Sequence, residues 1–388
     1  MSAATPPLSL YIHFPWCVSK CPYCDFNSHA LKDTLPEARY IDALLADATA
    51  QAPRVAGRTI TTIFLGGGTP SLFAPDALGR MFGELRLLLR IDPAAEVTLE
   101  ANPATVERGR FAEYRAAGIN RVSLGAQSFN DETLKVLGRI HRREDVWRAT
   151  EELHASGLPN FNLDLMYALP HQDRQGALDD VLAALALEPA HLSHYQLTLE
   201  PGTLFAARPP PLPDDDAAWE MQLACQALLA ERGYAQYEVS AYARPGRQSR
   251  HNLNYWRFGD YLGLGAGAHG KLTGALQAAR SAHLREPRRY LATVAAGPEW
   301  RPVPAQDLPF EYLMNALRLT AGFRLEDFSA ATGLAPRTIE PQLHSLAAEG
   351  LLEAPGDHWR ATPRGFQFLN EVLQRFLPGE ISPIQARS

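Results

Sequence analysis

The chain has 388 residues, 46% hydrophobic and 21% charged, with a formal net charge of −6. That composition is that of an ordinary globular protein, long enough for one large core and a smaller second unit. The acidic balance disfavours non-specific nucleic-acid binding, and no apolar run approaches the length that spans a bilayer.

Leu8–Phe14 reads as the first strand. It runs into Trp16-Cys17-Val18-Ser19-Lys20-Cys21-Pro22-Tyr23-Cys24-Asp25-Phe26, which holds all but one of the 4 cysteines. Thiolates this close in sequence are too tightly spaced for relaxed disulfides with each other, but on one loop they can converge on a metal. An iron–sulfur cubane is held by Cys thiolates, and three local ligands leave one iron open. An open iron can bind a small chelate, such as the amino and carboxylate groups of S-adenosylmethionine. A closed zinc site of Cys3His type, completed by His13 or His29, is the competing reading of the same residues.

Helices and strands then alternate. Pro36–Ala52 carries Tyr40, Ile41, Leu44, Leu45 and Ala48 at helical spacing, and Thr59–Leu65 is a β-branched strand. Pro75–Leu89 is again helical. Glu96–Leu99, Arg121–Leu124, Asn162–Met166 and Leu192–Leu199 read as further strands, with helices at Arg108–Ala117, Asp131–Leu137, Arg143–Ser156 and Gln175–Leu187. Such alternation implies parallel pairing through right-handed crossovers. The expected fold class is α/β, a partial (β/α)6 TIM-like barrel. Pro209–Asp216 is a proline-dense break, followed by a helix over Ala217–Arg232 that carries Cys225 as a core thiol. Gly233 to about Trp300 reads as irregular, and helices with a short hairpin follow from Leu308. The domains expected are a barrel over 1–235, an elaboration over 236–305 and a small, mainly helical, winged-helix-like domain over 306–388.

Each strand end carries chemistry. The second strand enters Gly66-Gly67-Gly68-Thr69-Pro70-Ser71, the third ends at Glu100, the fourth leads to Gln127, and the fifth contains Asp164. In a parallel barrel these ends form one rim, where active sites are built. Glycines admit a ligand close to the backbone, carboxylates and an amide accept from an ammonium or from ribose hydroxyls, and Arg139 can fork onto a carboxylate. Singly these residues also suit a plain turn, a helix cap and a surface charge. Together, beside three thiols, they suit a zwitterionic nucleoside.

Tyr11 to Phe26, Gly66–Ser71, Glu100, Gln127, Arg139 and Asp164 resemble the oxygen-independent coproporphyrinogen III oxidase family of radical SAM proteins, over nearly the whole chain. The resemblance implies a radical SAM barrel in which Cys17, Cys21 and Cys24 bind a [4Fe–4S] cluster. It further implies that Tyr11, Gly67, Gly68, Thr69, Glu100, Gln127, Arg139 and Asp164 contact S-adenosylmethionine. Two departures are similar to the family's haem-chaperone branch: Phe26 stands where the oxidases carry a further cysteine, and the segment ahead of Cys17 is short. That branch is regarded as lacking the decarboxylation, so no catalytic residue is assigned.

His251-Asn252-Leu253-Asn254-Tyr255-Trp256 matches the branch's H-N-x-x-Y-W pattern, associated with haem. Imidazole is a common haem-iron ligand, Tyr255 and Trp256 can pack a flat macrocycle, and Arg244, Arg247, Arg250 and Arg257 can pair with propionates. The same residues also suit a loop whose His caps a turn. The expectation is a haem chaperone that binds haem through His251, Asn252, Tyr255 and Trp256 and delivers it to acceptor haemoproteins. An oxidase that decarboxylates coproporphyrinogen by radical chemistry is the rival, and a DNA-binding regulator is a weaker one. The second helix of the C-terminal unit, Thr338–Gly350, has no Lys or Arg, which suits a lid or docking role better than phosphate contact. Gly265-Ala-Gly267-Ala-His-Gly270 opens no helix and is expected to pack tightly on the barrel rather than bind a dinucleotide. The first residues lack the regions of a signal peptide. A cytoplasmic location is therefore expected, with peripheral membrane contact and the oligomeric state, a dimer included, left open.

Overall fold

The computed structural model describes residues 6–105, 109–274 and 278–378. Arg108, where the sequence predicts a helix to begin, and residues 1–5 of the opening segment lie outside them.

Six parallel strands form the centre of one sheet: β1 (Leu8–Phe14), β2 (Ile60–Gly67), β3 (Ile91–Ala101), β4 (Arg121–Gln127), β5 (Phe161–Tyr167) and β6 (His191–Gln196). The crossovers are α1 (Glu37–Gln51), α2 (Pro75–Leu88), α3 (Arg110–Ala117), α4 (Asp131–Val136), α5 (Arg143–Ala155) and α6 (Arg174–Ala186). All follow the predicted pattern; the largest discrepancy is β3, which begins at Ile91 rather than Glu96.

Strand side chains alternate between faces, and the two faces here differ in kind. Leu8, Leu10, Ile12 and Phe14 point outward, at most 2% exposed, and share one core with Ile41 and Leu44 of α1 and Leu78, Met81 and Phe82 of α2. Burial of each such side chain stabilises the fold by ~1.5–3 kcal/mol. The inward row is polar and internally bonded. Ser9 Oγ meets Thr62 Oγ1 at 2.7 Å, and His191 bridges Asn162 Oδ1 at 2.6 Å and Tyr237 OH at 2.7 Å. The barrel is thus lined for a polar guest.

The stretch read as irregular is ordered. After α7 (Asp215–Glu231), where Cys225 is buried as expected, come β7 (Ala235–Glu238), β8 (Ala241–Ala243), α8 (Arg250–Trp256), β9 (Asp260–Leu264), β10 (His269–Thr273), β11 (Ala278–Ala282), α9 (Pro287–Thr293) and β12 (Trp300–Pro302). The sheet order is β12-β11-β10-β9-β1-β2-β3-β4-β5-β6-β8-β7, so this segment extends both edges. β9 is parallel to β1, whereas β8 is antiparallel to β6. These strands are short and are specified by the neighbours they pair with rather than by their own alternation. The Gly265–Gly270 run packs tightly: a Cβ at Gly265 would lie 2.4 Å from the His13 carbonyl.

The C-terminal unit is α10 (Leu308–Ala316), β13 (Phe323–Arg324), α11 (Leu325–Thr332), α12 (Glu340–Ala348), β14 (Leu352–Glu353) and β15 (His358–Ala361), with sheet order β13-β15-β14. This is helix, turn, helix and wing. Its core, including Tyr312, Leu313, Phe328, Leu343 and Trp359, also takes in Phe258 from the segment before β9. No helix among the described residues is long and apolar enough to cross a membrane.

One buried ionic cluster ties the left half of the sheet together. Asp260, with a side chain 0% exposed, accepts from Lys271 Nζ at 3.1 Å and from Arg58 Nη1 at 2.8 Å. The Thr273 N–H and hydroxyl also donate to it, at 3.0 and 2.8 Å. Asp260→Ala strands the Lys271 ammonium without its counter-charge. The expected loss is about 3–5 kcal/mol, read as a lower urea midpoint, with partial recovery in Asp260→Ala/Lys271→Met.

Candidate functional site

The cysteine loop is closed at its base. Trp16–Cys17 pairs with His29–Ala30, through the N–H of His29 to the Pro15 carbonyl at 2.7 Å and the N–H of Leu31 to the Cys17 carbonyl at 2.8 Å. Inside the loop, Lys20 Nζ donates to the carbonyls of Phe26 and Ser28, both at 3.2 Å. His13 braces it from below, with Nε2 2.9 Å from the Asn27 carbonyl and Nδ1 3.0 Å from the Tyr11 hydroxyl. Both His13 nitrogens are engaged, which leaves neither for the zinc shell considered above.

Cys17, Cys21 and Cys24 are free, partly exposed, and line a single cavity of about 400 Å3. Each sulfur has a polar neighbour suited to a thiolate. Arg139 Nη1 donates to Cys21 Sγ at 3.7 Å, and Ser28 Oγ lies 3.7 Å from Cys24 Sγ. Burial pushes the Cys17 thiol up, and the Thr69 and Ser28 hydroxyls pull it back. Among the described residues, no three His, Cys, Asp or Glu side chains stand at the spacing of a single metal ion. A cubane spreads its thiolates over separate irons, so the donor set fits a cluster.

The glycine run forms the adjacent wall. The N–H groups of Gly68 and Thr69 donate to the carbonyls of Phe14 and Trp16, each at 2.7 Å. A Cβ on Gly68 would lie 2.5 Å from the Trp16 carbonyl oxygen. Gly67 has φ +111°, and a Cβ there would fall 2.3 Å from the His13 ring. Its N–H donates to Glu100 Oε2 at 3.0 Å.

Opposite stand two carboxyl groups. Burial, then the neighbouring Asp164, pushes Glu100 up to about 8, against the pull of the Gly67 N–H. Burial raises Asp164 as well, offset by Asn162 Nδ2 at 2.7 Å and Ser123 Oγ at 3.1 Å. A cationic ligand placed between them would relieve that cost. Gln127 adopts φ +68° at the end of β4, and its Oε1 accepts from the Tyr195 hydroxyl at 2.9 Å. Arg139 holds the Gly125 carbonyl at 2.7 Å, while its Nε is buried without a partner. That orphan donor suits a ligand carboxylate.

The structure therefore gathers Cys17, Cys21, Cys24, Gly67, Gly68, Thr69, Glu100, Gln127, Arg139 and Asp164 around one mouth. Tyr11 is not among the residues lining the cavity: its ring stacks on Phe64 at 6.3 Å between ring centroids and its hydroxyl lies 3.0 Å from His13 Nδ1. Tyr195, Tyr23 and Ser123 also line the cavity. Tyr195 was legible as the inward residue nearest the end of the sixth strand, in register with Met166.

The H-N-x-x-Y-W residues do not join this mouth. They form α8, capped by Ser249 Oγ, which accepts from the Asn252 N–H at 3.3 Å. His251, expected as a haem contact, is 2% exposed inside the barrel. Its Nδ1 lies 2.9 Å from Thr62 Oγ1, its backbone N–H donates to Glu96 Oε1 at 3.0 Å, and its ring is 5.1 Å from Phe64. Burial, with the Arg121 charge second, holds the imidazole down at about 3. Asn254 binds Ser9 Oγ at 2.8 Å, and Tyr255 stacks on Tyr261 at 4.2 Å. Trp256 faces another way, under the Arg318 guanidinium at 4.3 Å from its ring centroid. The motif thus has an inner side that plugs the barrel and an outer side that does not.

Residues 11–182 match the model of the Radical SAM superfamily, and residues 303–368 match the HemN C-terminal domain. The protein named heme chaperone HemW in Escherichia coli K12 is 50% identical over 380 residues, covering 96% of this chain and 98% of its own. The heme chaperone HemW of Haemophilus influenzae is 48% identical over 380 residues, covering 97% and 99%. The structure of coproporphyrinogen III oxidase (HemN) from E. coli, described as a radical SAM enzyme, superposes with a TM-score of 0.81 at 23% identity, covering 96% of this chain and 90% of that one.

Gly67→Ala introduces both an unfavourable φ and a collision with His13. The expected destabilisation is roughly 1–3 kcal/mol, measured by urea unfolding.

Proposed function

The chain belongs to the heme chaperone HemW family of radical SAM proteins, and from that premise we propose that it is a carrier that binds haem and hands it to acceptor haemoproteins. The observation that carries this reading is identity of 50% over 96% of the chain to a protein named for that role. Membership in the radical SAM superfamily supports a [4Fe–4S] cluster on Cys17, Cys21 and Cys24. It likewise supports S-adenosylmethionine against Gly67, Gly68, Thr69, Glu100, Gln127, Arg139 and Asp164, with Tyr11 beneath.

When bound, the cluster would supply an electron-transfer centre with one open iron. The chain's own residues do the rest of the holding. Arg139, with a free Nε, takes the ligand carboxylate; Glu100 and Asp164 face its positive charge and hydroxyls; Gly67 and Gly68 let the backbone come close. Tyr195 fixes the rotamer of Gln127.

The oxidase reading shares the fold. Against it stands Phe26, 60% exposed at the cavity rim, at the position where the oxidases carry a further thiol. DNA recognition is disfavoured by α12, whose sequence Glu-Pro-Gln-Leu-His-Ser-Leu-Ala-Ala offers no cation to phosphate.

Anaerobic reconstitution is expected to give about four irons and four sulfides per chain. Cys17→Ala abolishes this loading and Cys225→Ala does not. Haem titration should then give a saturable Soret change, and incubation with coproporphyrinogen and S-adenosylmethionine should yield no protoporphyrinogen. Formation of protoporphyrinogen would establish the oxidase instead.

A second expectation concerns pH. The Glu100 carboxyl is neutral below about 8 in the free protein, and a cationic ligand favours the carboxylate, so binding releases a proton. S-Adenosylmethionine affinity should therefore rise with pH toward about 8, by up to about tenfold per unit, and then level off. Isothermal titration of Glu100→Gln should show no such slope.

A further inference from the structure

We propose that haem lies in the cleft between the outer side of α8 and the C-terminal unit, with His358 on the wing as the ligand to its iron. The proposal rests on the haem-carrier reading and gives it a place.

The cleft has a volume of about 620 Å3 and is lined by Leu253 and Trp256 of α8 and by Phe258, Tyr312 and Phe323, whose rings touch one another and form one continuous aromatic surface. Haem is a flat macrocycle, apolar on both faces, with two carboxylates on one edge and an iron that takes an axial nitrogen. A cleft with an aromatic and aliphatic lining and charge at its rim matches that chemistry. The cavity at the cysteines does not: no histidine lines it, and its polar donors fit the cluster and the nucleoside. His251 is enclosed in the barrel by Thr62, Phe64 and Tyr255.

His358 lines the cleft with a side chain 47% exposed. Its Nδ1 is held by Asp357 Oδ1 at 2.7 Å. A carboxylate on one imidazole nitrogen fixes the tautomer and strengthens the other as a metal donor, the arrangement found behind most histidine ligands. Pairing of β13 with β15 sets His358 opposite Arg324, which lines the same cleft. Arg324 already pairs with Glu326 and Asp327. Arg257, exposed on the opposite lip, makes no ion pair among the described residues and is the partner for a propionate. Trp256, under Arg318, also has its indole N–H buried without an acceptor. Of the H-N-x-x-Y-W residues, then, Trp256 touches the haem, while His251 and Tyr255 serve by seating the helix that carries it.

The test is haem titration of the full-length, cluster-loaded protein followed through the Soret band, with His358→Ala, Arg257→Glu and, as a control, His344→Ala. The His344 side chain is exposed on α12 and does not line the cleft. The expected result is a shifted Soret band and about tenfold weaker binding for His358→Ala. Arg257→Glu should bind more weakly with an unshifted band, and His344→Ala should match the parent. Unchanged iron content and S-adenosylmethionine binding in the variants show that the fold is kept. If the parent binds haem saturably and both His358→Ala and Arg257→Glu bind it as the parent does, the cleft is not the site, while the carrier reading stands. If the parent shows no saturable binding, both fall together.

Discussion

The arrangement of this protein depends on two backbone hydrogen bonds that extend the pairing of β1 and β2 beyond the ends of the strands. Gly68 and Thr69 donate to the carbonyls of Phe14 and Trp16 at 2.7 Å each, an approach so close that a side chain at Gly68 would overlap the acceptor strand. The cysteine loop begins at the very residues those carbonyls belong to. Its position relative to the glycine wall is therefore set by main-chain bonding. Gly67 passes the constraint on, since its N–H holds the Glu100 carboxyl. Sulfurs, amides and carboxyl groups share a mouth because one ladder runs past its usual end.

The second organising fact is the contrast between the two faces of the central strands. Outward side chains make a continuous apolar core with the helices, and this is where the stability comes from. Inward side chains form a polar network that is filled from beneath by α8, through Asn254 to Ser9 and His251 to Thr62. The upper part of the barrel stays open, and there burial raises the proton affinity of both Glu100 and Asp164, with the Asp164 charge raising Glu100 further. The pocket thus carries an electrostatic cost that a positively charged guest removes. Selectivity for such a guest is built into the site.

Much of this was legible in the sequence because the central strands and helices are long and strongly patterned. β2 is β-branched through Ile60, Thr61, Thr62 and Ile63, and α2 repeats Leu78, Met81, Phe82 and Leu85 on one side. Strand ends in a parallel sheet lie together by geometry, so Glu100, Gln127 and Asp164 could be assigned to one rim without coordinates. The region from Ala235 to Pro302 was not legible. Strands such as Ala241–Ala243 and Trp300–Pro302 are too short to show alternation, and their partners are distant in sequence. His251 shows a different limit, being buried where the motif suggested an open contact. The motif names residue types, but direction is set by helical spacing, and at that spacing residues 251, 254 and 255 share a side that excludes 252, 253 and 256. Reading the period inside the motif would have turned the imidazole inward.

The base of the cysteine loop has one further consequence. Its neck is shut by amide-to-carbonyl bonds from His29 and Leu31 and is braced by Asn27, whose side chain reaches the carbonyls of Ala266 and Arg285 at 2.9 Å each. None of these contacts involves sulfur. Small metal-stapled domains fall apart when their ion is stripped, but here the outline of the cradle is held by hydrogen bonds that need no metal. An inorganic core seated there and lost to oxygen would leave behind a folded vessel, open to refilling by supplied iron and sulfide.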